Sequence, residues 1–317
     1  MLNAINNALD LSMKADENIV LLGEDIGKDG GVFRVTDGLQ AKYGENRVMD
    51  SPLAESGIIG TSIGMAIGGL HPIPEIQFAG FMLLGFSQLL NHAARYRERS
   101  RGAFTVPMVV RTPVSGGIRA LEHHSDSPEI LYSHIGGLIV VEPSNPYDAK
   151  GLLMMAATMN DPVLFLEPTK LYRLFKQEVP EDAYTIPIGK ANRIAEGNDL
   201  SIITWGTMVP VVRNVVDKKK LSADIIDMRT INPLDEQAVL ESAKKTGRVL
   251  IVHEASLSFG AGAEISARIA EKAMFELKAP IMRVGSPSLP YPLPGYETAY
   301  IPNEKKVAQA IDKLMSV

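Results

Sequence analysis

Apolar residues follow two spacings along the chain. Over residues 2–13 they recur every three or four positions, which predicts an amphipathic first helix. Elsewhere they form short, nearly continuous runs separated by segments long enough for a helix. Such runs are typical of parallel strands buried on both faces, so the pattern predicts an α/β fold. The predicted strands are 18–23, 73–78, 107–111, 136–141, 163–167, 200–204, 223–228, 249–253 and 281–284.

The predicted helices fall between these strands, and one charged segment divides the series in two. Residues 176–187 carry charges and prolines without periodicity, as inter-domain linkers do. A chain of 317 residues suits two domains, and we expect them at 1–180 and 190–317. The proline-rich stretch 286–302 is predicted to be irregular. The predicted helices are 37–43, 53–70, 81–99, 147–160, 210–219, 235–245, 261–275 and 304–315.

Two uncharged runs, 56–74 and 76–94, are long enough to raise the question of a membrane span. Both contain hydroxyl, amide or imidazole side chains, which are costly in lipid but ordinary inside a protein. We therefore expect both runs to be buried in a large core or in a subunit interface. The N-terminus has neither a basic stretch nor a continuous apolar core, so no signal peptide is expected and the predicted compartment is the cytoplasm.

The composition narrows the chemistry that the chain can perform. The residues are 45% hydrophobic and 22% charged, as expected of a globular protein. The net charge of −5 gives no electrostatic reason to expect nucleic acid or an anionic membrane as a partner. The chain has no cysteine, which excludes disulfides, thiolate metal sites and cysteine nucleophiles. Its chemistry must therefore use carboxylates, histidines, hydroxyls or a bound cofactor.

Glu55 is the first candidate for chemistry. Ser51 and Pro52 are typical of a helix start with Ser51 as the N-cap, and this spacing puts Glu55 one position beyond the capping-box site. A glutamate in the first turns of a helix is most often a solvated partner of the helix dipole. However, the next 19 residues carry no charge and include several glycines. We therefore expect Glu55 at the mouth of a buried helix that another helix or a ligand approaches closely.

His123 and His124 form the second candidate. Adjacent histidines cannot both point the same way, so this pair alone does not predict a metal site. Two interpretations remain: a polar loop, or a loop in which one imidazole acts as an acid, a base or an anion contact near pH 7. Phe81 is by its spacing from Phe78 a core residue, but opposite Glu55 it would form a flat apolar wall for a heteroaromatic ring.

A series of ordered segments is more specific than any of these single residues. They are LLGEDIG (21–27), GVFRVTDGLQAKYG (31–44), SPLAESGIIG (51–60), EIQFAGF (75–81), HHSDSPE (123–129), DAKGLL (148–153), FLEPTKLYR (165–173), WGT (205–207), IDMRTINPLD (226–235) and HEA (253–255). With these segments the chain resembles, over essentially its whole length, the β subunit of the thiamin-diphosphate-dependent 2-oxo acid dehydrogenases, in their decarboxylating component. FLEPTKLYR, WGT and HEA are more similar to the branched-chain members than to the pyruvate members.

The resemblance implies a transketolase-like architecture of two three-layer α/β domains, a pyrimidine-binding domain followed by a C-terminal assembly domain. It also implies roles for individual residues. Glu55 would bond a ring nitrogen of the aminopyrimidine of thiamin diphosphate and so activate the cofactor, and Phe81 would stack on that ring. Leu53 and Gln77 would line the same pocket. His124 would orient the substrate or assist acyl transfer to a lipoyl group.

Two features of the family are missing from the sequence. Members bind the cofactor's diphosphate through magnesium with a Gly-Asp-Gly motif, and this chain has none. We therefore expect an α subunit to hold the diphosphate and the magnesium, so that the chain is inactive alone and works in an assembly of two α and two β chains. Met159 and Asp161 stand where members often bind potassium through an Asp and an Asn, so no metal site is predicted on this chain.

The resemblance leaves the reaction partly open. The main expectation is oxidative decarboxylation of a branched-chain 2-oxo acid with acyl transfer to a lipoyl group, and docking of the dihydrolipoyl acyltransferase core on the C-terminal domain. The alternatives are a pyruvate or acetoin dehydrogenase β subunit, or a catalytically silent subunit that only binds the acyltransferase. The presence of both Glu55 and His124 argues against the silent alternative.

Overall fold

The computed structural model describes residues 1–317, and its first half alternates strands with helices. Three of its six strands are rich in Val, Ile and Leu and are buried at every position, which is why the apolar runs predicted them. The strands of this half are β1 Ile19–Gly23, β2 Val48–Asp50, β3 His71–Glu75, β4 Val109–Val114, β5 Ile139–Val141 and β6 Val163–Pro168. The helices are α1 Leu2–Ala15, α2 Leu39–Tyr43, α3 Glu55–Ile67, α4 Phe86–Asn91, α5 Tyr96–Arg99, α6 Glu129–Ser133 and α7 Pro146–Ala156.

The second half repeats the alternation after an irregular segment. Two of its helices start at polar caps: the side chains of Asp235 and Asn303 accept the backbone N–H of the third helical residue of α9 and α12. The strands are β7 Asn192–Ala195, β8 Leu200–Thr204, β9 Ala223–Asp227, β10 Thr230–Asn232, β11 Val249–Ser256 and β12 Met282–Ser286. The helices are α8 Met208–Lys219, α9 Glu236–Thr246, α10 Ala261–Ala273, α11 Glu297–Tyr300 and α12 Glu304–Met315.

The twelve strands form two sheets with helices packed against them. The seven-stranded sheet has the order β10-β5-β6-β4-β3-β1-β2, and the five-stranded sheet has the order β12-β11-β8-β9-β7. All pairs are parallel except β10 with β5 and β7 with β9, which are antiparallel. This confirms the prediction of two α/β units with parallel sheets. The two antiparallel strands each lie at the edge of their sheet.

The second half of the chain contributes one strand to the first sheet. β10 pairs with β5, and the Asn232 amide donates to the Leu138 carbonyl at 2.7 Å. Next to this strand, Arg229 bonds Asp148 through two nitrogens, with 2.7 Å between Arg229 Nε and Asp148 Oδ2. A bidentate pair of this kind fixes orientation as well as distance. The two sheets are therefore tied together beside the loops that follow the strands.

The segment predicted as one long helix over 81–99 is broken into four short pieces. They are a 3₁₀ turn Ala79–Gly85, α4, a second 3₁₀ turn Ala93–Arg95, and α5. One break lies at Gly85, where the chain packs closely on α3: a Cβ there would come within 2.3 Å of Ile59 Cδ1. The prediction was wrong because apolar spacing does not separate a helix from tight turns that glycines allow at a crowded contact.

Helix α3 begins later than predicted. Its N-cap is Ala54 rather than Ser51, and no side chain caps it. The reason lies in β2, which continues through Asp50, so that the Ser51 N–H still donates to the Gly23 carbonyl at 2.9 Å. The chain therefore turns three residues later, and Glu55 becomes the first helical residue. The helix also ends at Ile67 rather than at residue 70.

The proline-rich stretch 286–302 was predicted to be irregular, and this is wrong for its centre. Pro294 begins a 3₁₀ turn, where its missing N–H is not needed, and α11 follows directly. The uncharged run after Glu55 is only partly buried in the chain: Ile59 and Ile63 are in the core, whereas Gly57 and Gly64 face outward. No helix combines the length and apolar character that a bilayer span requires.

Candidate active site

The predicted site residues gather at one edge of the seven-stranded sheet. β1 and β3 are parallel neighbours with Gly23 opposite Glu75, so the residues that follow the two strands lie side by side. Asp25 follows β1 and Gln77 follows β3, and the Gln77 amide donates to Asp25 Oδ2 at 3.2 Å. Parallel strands bring such residues to a common edge, and this is where binding sites of open α/β sheets occur.

Helix α3 carries Glu55 to this edge. The start of the helix packs on the 3₁₀ turn Ala79–Gly85, and the Ser56 hydroxyl donates to the Leu84 carbonyl at 2.5 Å. Glu55 is only 5% exposed, and no hydrogen bond within the chain reaches its carboxylate. Buried polar groups are normally hydrogen-bonded, so a buried acceptor without a donor is suited to a donor from outside the chain. The structure thus agrees with the expected burial of Glu55.

Glu24 lies beside Glu55 and was missed in the sequence analysis. It is 6% exposed, and its Oε1 has no hydrogen-bond partner. Burial, followed by the charge of Glu55, raises the pKa of the Glu24 carboxyl above its ordinary value. Its position directly after a strand buried on both faces is the one signal in the sequence, and this does not distinguish it from a solvated glutamate. Glu55 therefore has a second buried carboxyl, that of Glu24, beside it.

An aromatic cluster lies where the histidine loop packs against the 3₁₀ turn Ala79–Gly85. The His124 ring packs edge-on against Phe78, with 4.3 Å between ring centroids, and lies 5.5 Å from the ring of Phe81. His123 is 4.4 Å from His124 and 5.4 Å from Phe81 by the same measure. Gly80 permits this contact, since a Cβ there would come within 2.4 Å of the His123 carbonyl oxygen. The structure brings Phe81 and both histidines together, and it adds Phe78 and His123 to the predicted set.

The remaining predicted residues lie nearer the surface. Leu53 is on the extended segment before α3 and is 78% exposed, which is unusual for a leucine. Gln77 is half-buried and is held by Asp25. Leu53 therefore presents apolar surface to the outside, two positions before the buried Glu55.

The residues present fit the pyrimidine half of thiamin diphosphate. An aminopyrimidine is a flat ring with polar nitrogens, and the chain offers an unpartnered carboxylate at Glu55, an aromatic face at Phe81 and an apolar side chain at Leu53. The chain brings together no group of three histidine or acidic side chains suited to a metal ion. Asp161, at the position of the family's potassium site, is bonded to Arg97 at 2.6 Å.

A second group of carboxyls lies between the two sheets, behind the histidine loop. Glu129 and Glu142 come from the first half of the chain and Glu254 from the second, and all three are buried. Burial raises the pKa of Glu129 to about 8 and that of Glu142 well above its ordinary value. Glu254 accepts from the Gly116 N–H at 2.5 Å and from the Thr207 hydroxyl. The second half of the chain therefore holds the loop that leads to His124.

Comparison with known proteins gives consistent matches along the chain. Residues 1–174 match the transketolase pyrimidine-binding domain family, and residues 189–307 match the transketolase C-terminal domain family. The chain is 52% identical to the pyruvate dehydrogenase E1 component subunit beta of Acholeplasma laidlawii, covering 99% of this chain and 97% of that protein. It is 46% identical to the protein of the same name from Bacillus subtilis, over 99% and 98%.

A solved structure described as an inactive β4 tetramer of a split-gene transketolase shares the fold. The two superpose with a TM-score of 0.81 at 20% identity, covering 99% of this chain and 97% of the other. The transketolase-like architecture implied by the resemblance is thereby confirmed. The relatives favour the pyruvate alternative over the branched-chain expectation. The chain belongs to the transketolase-like family of thiamin-diphosphate-dependent E1 β subunits.

Proposed function

We propose that the chain is the β subunit of a pyruvate dehydrogenase E1 component, which with an α subunit decarboxylates pyruvate oxidatively and transfers the acetyl group to a lipoyl group. The whole-length identity of 52% to a relative of that name supports pyruvate over a branched-chain 2-oxo acid. The observation that carries the chemistry is the largely buried Glu55 carboxylate at the start of α3, which packs against the 3₁₀ turn that carries Phe81.

Glu55 and Phe81 act on the pyrimidine ring in this proposal. Thiamin diphosphate would supply the electron sink that decarboxylation of a 2-oxo acid needs. The Glu55 carboxylate holds a proton at a ring nitrogen of the aminopyrimidine, and its burial strengthens that charge-assisted hydrogen bond. Phe81 supports the face of the ring, while Leu53 and Gln77 bound it at the rim.

In this proposal His124 acts on the substrate. Burial is the main cause that lowers the pKa of its imidazole below the ordinary value, so the ring is neutral at physiological pH. Its Nδ1 is sealed from solvent without a partner, whereas its second nitrogen stays accessible. A neutral imidazole with one free nitrogen can hold the substrate by a hydrogen bond and exchange a proton with it during acyl transfer.

The active site is shared between two chains in this proposal. An α subunit supplies the diphosphate and magnesium ligands, because this chain has no Gly-Asp-Gly motif. Residues 1–180 form the pyrimidine-binding domain, and residues 190–317 form the assembly domain of an enzyme with two α and two β chains. The exposed apolar side chain of Leu53 beside the candidate site supports a site that a second chain completes.

Reconstitution tests the proposal. The chain is co-expressed with an α subunit, supplied with thiamin diphosphate and magnesium, and assayed for carbon dioxide released from pyruvate and from 3-methyl-2-oxobutanoate. We expect activity only with both chains and a higher kcat/KM for pyruvate. Full activity of this chain alone would refute the shared site, and a preference for the branched acid would refute the substrate. An assembled but inactive complex would support the silent subunit instead.

Docking of the dihydrolipoyl acyltransferase core on residues 190–317 is a separate part of the proposal. It is tested with the complete complex of α and β chains, whose exposed side chains in this region are changed in small groups. Loss of co-sedimentation with the acyltransferase core, with decarboxylation intact, is expected for one group. Undiminished co-sedimentation for every group would show that the core docks elsewhere.

A further inference from the structure

His123 is the one titratable member of the aromatic cluster to which the proposed reaction gives no role. It occupies the middle of the 3₁₀ turn Glu122–His124, directly beside His124. Its ring is tilted by 44° to the His124 ring at a centroid distance of 4.4 Å, and by 43° to the Phe81 ring at 5.4 Å. It thus touches both the ring proposed to handle the substrate and the ring proposed to support the cofactor.

The 3₁₀ turn packed against the His124 ring carries no charge, and the nearest carboxylate beside that turn is Asp126, whose Oδ2 faces Gly80. The turn itself, Ala79–Gly85, has the sequence AGFMLLG and no titratable side chain. Phe78 covers one ring edge. The charged groups that shift the pKa of His124 come from its own turn: His123, and Glu122, whose Oε1 is 3.5 Å from His123 Nδ1. The protonation of His124 depends on a small, local set of groups.

These two neighbours act on His124 in opposite directions. After burial, the largest cause, the nearby imidazole of His123 lowers the pKa of His124, because two like charges at this separation repel each other. The Glu122 carboxylate raises that pKa. His123 and Glu122 therefore shift the pKa of His124 in opposite directions. Substituting each residue in turn separates the two effects.

We propose that His123 is a positioning residue for the proposed reaction: it packs on both rings and holds the His124 ring against Phe78 and Phe81. When protonated, it also opposes protonation of His124, because like charges repel. This inference rests on the proposed function of His124. Its consequence is that the enzyme keeps a neutral, proton-accepting His124 at a lower pH than it would without His123. The acid limb of the pH–rate profile therefore lies at a lower pH than it would without His123.

Nuclear magnetic resonance on the full β chain tests the coupling without any cofactor. Histidine labelled with ¹³C at Cε1 gives six resonances, and the His124→Gln variant identifies the one from His124. We expect the titration midpoint of His124 to move to higher pH in His123→Gln, because the opposing charge is lost. In His123→Lys, which keeps a positive charge, the midpoint should stay at or below its original position. In Glu122→Gln it should move to lower pH.

The assembled enzyme gives the second readout. In the complex with the α subunit, the acid limb of kcat/KM for pyruvate should shift in the same direction as the His124 midpoint in all three variants. A midpoint that stays in place or moves lower in His123→Gln would overturn the inference, as would a shifted midpoint with an unshifted acid limb. Absence of decarboxylation in the original complex would instead refute the proposed function, which the resonance titration does not depend on.

Discussion

Glu297 in α11 accepts a hydrogen bond from the backbone N–H of Gly117 at 2.9 Å. The same carboxylate accepts from the Arg119 N–H at 3.2 Å and from the Tyr291 hydroxyl at 2.7 Å. Gly117 and Arg119 both have positive φ, a conformation that non-glycine residues rarely adopt without support. Because this loop leads to His124, a side chain near the end of the chain shapes the start of the candidate catalytic loop.

Replacing Glu297 should loosen that loop. In Glu297→Ala the N–H groups of Gly117 and Arg119 lose their acceptor, which should lower the free energy of unfolding by about 1–3 kcal/mol. Hydrogen–deuterium exchange over residues 115–120 should speed up, and the activity of the complex should fall. Tyr291→Phe keeps both loop bonds and serves as the control. Unchanged exchange in Glu297→Ala would mean that other contacts hold the loop.

Replacing Glu55 should affect activation of the cofactor rather than folding. Glu55→Gln keeps the size of the side chain but exchanges a charge-assisted hydrogen bond for a neutral one. Proton exchange at the reacting thiazolium carbon of the bound cofactor should slow by about 100-fold or more. It is measured by acid-quenched nuclear magnetic resonance on the assembled complex. Glu98→Gln, at an exposed position in α5, is the control; wild-type exchange in Glu55→Gln would remove Glu55 from the mechanism.

The parts of the fold that depend on local pattern could be predicted from the sequence. Runs such as β1 and β6 are apolar because both faces of the sheet are covered. Consecutive residues are then apolar, and this local pattern can be read from the sequence. The strand β10 could not be predicted in the same way. It has three residues, and the bond that anchors Asn232 reaches Leu138, 94 positions earlier in the chain. Nothing local distinguishes it from a loop.

The residues of the candidate site also differ in whether the local sequence could predict them. Glu55 could be singled out because a lone charge before a long uncharged run is visible in sequence. Glu24 could not, because a glutamate after a strand is ordinarily solvated, and its burial depends on the start of α3 packing beside it. His123 looked like part of a polar loop, since its contact with Phe81 depends on the close approach at Gly80.

Arg111 should be essential for stability. It is fully buried in β4, with 2.7 Å between its Nε and Glu167 Oε1 and 2.9 Å between its NH1 nitrogen and Glu75 Oε2. Arg111→Met leaves two buried carboxylates without a counter-charge and should cost about 3–5 kcal/mol in urea unfolding. Adding Glu167→Gln to that variant should recover part of the loss. A cost below about 1 kcal/mol for Arg111→Met would mean that the pair contributes little net stabilisation.

Glu129 should make stability fall as pH rises. Burial raises the pKa of Glu129 to about 8 in the folded chain, whereas an unfolded glutamate titrates near pH 4.3. The folded state therefore binds the proton more tightly, so its stabilising contribution is complete below about pH 4 and is lost as pH rises toward 8. Glu142, whose pKa burial also raises, acts in the same direction. Both groups lie between the two sheets. The stability lost at higher pH is therefore that of the contact between the sheets behind the histidine loop.

The Glu129→Gln variant isolates this effect, because the amide cannot ionise. Its free energy of unfolding relative to the original chain should rise from pH 5 to 8.5, by up to a few kcal/mol on the order expected for a buried carboxyl. Glu236→Gln is the matched control. The pKa of Glu236 is lowered by its hydrogen bond to Lys272, so that group is already ionised throughout this range and its variant should show a constant difference. A constant difference for Glu129→Gln as well would show that Glu129 does not hold a proton in the folded protein.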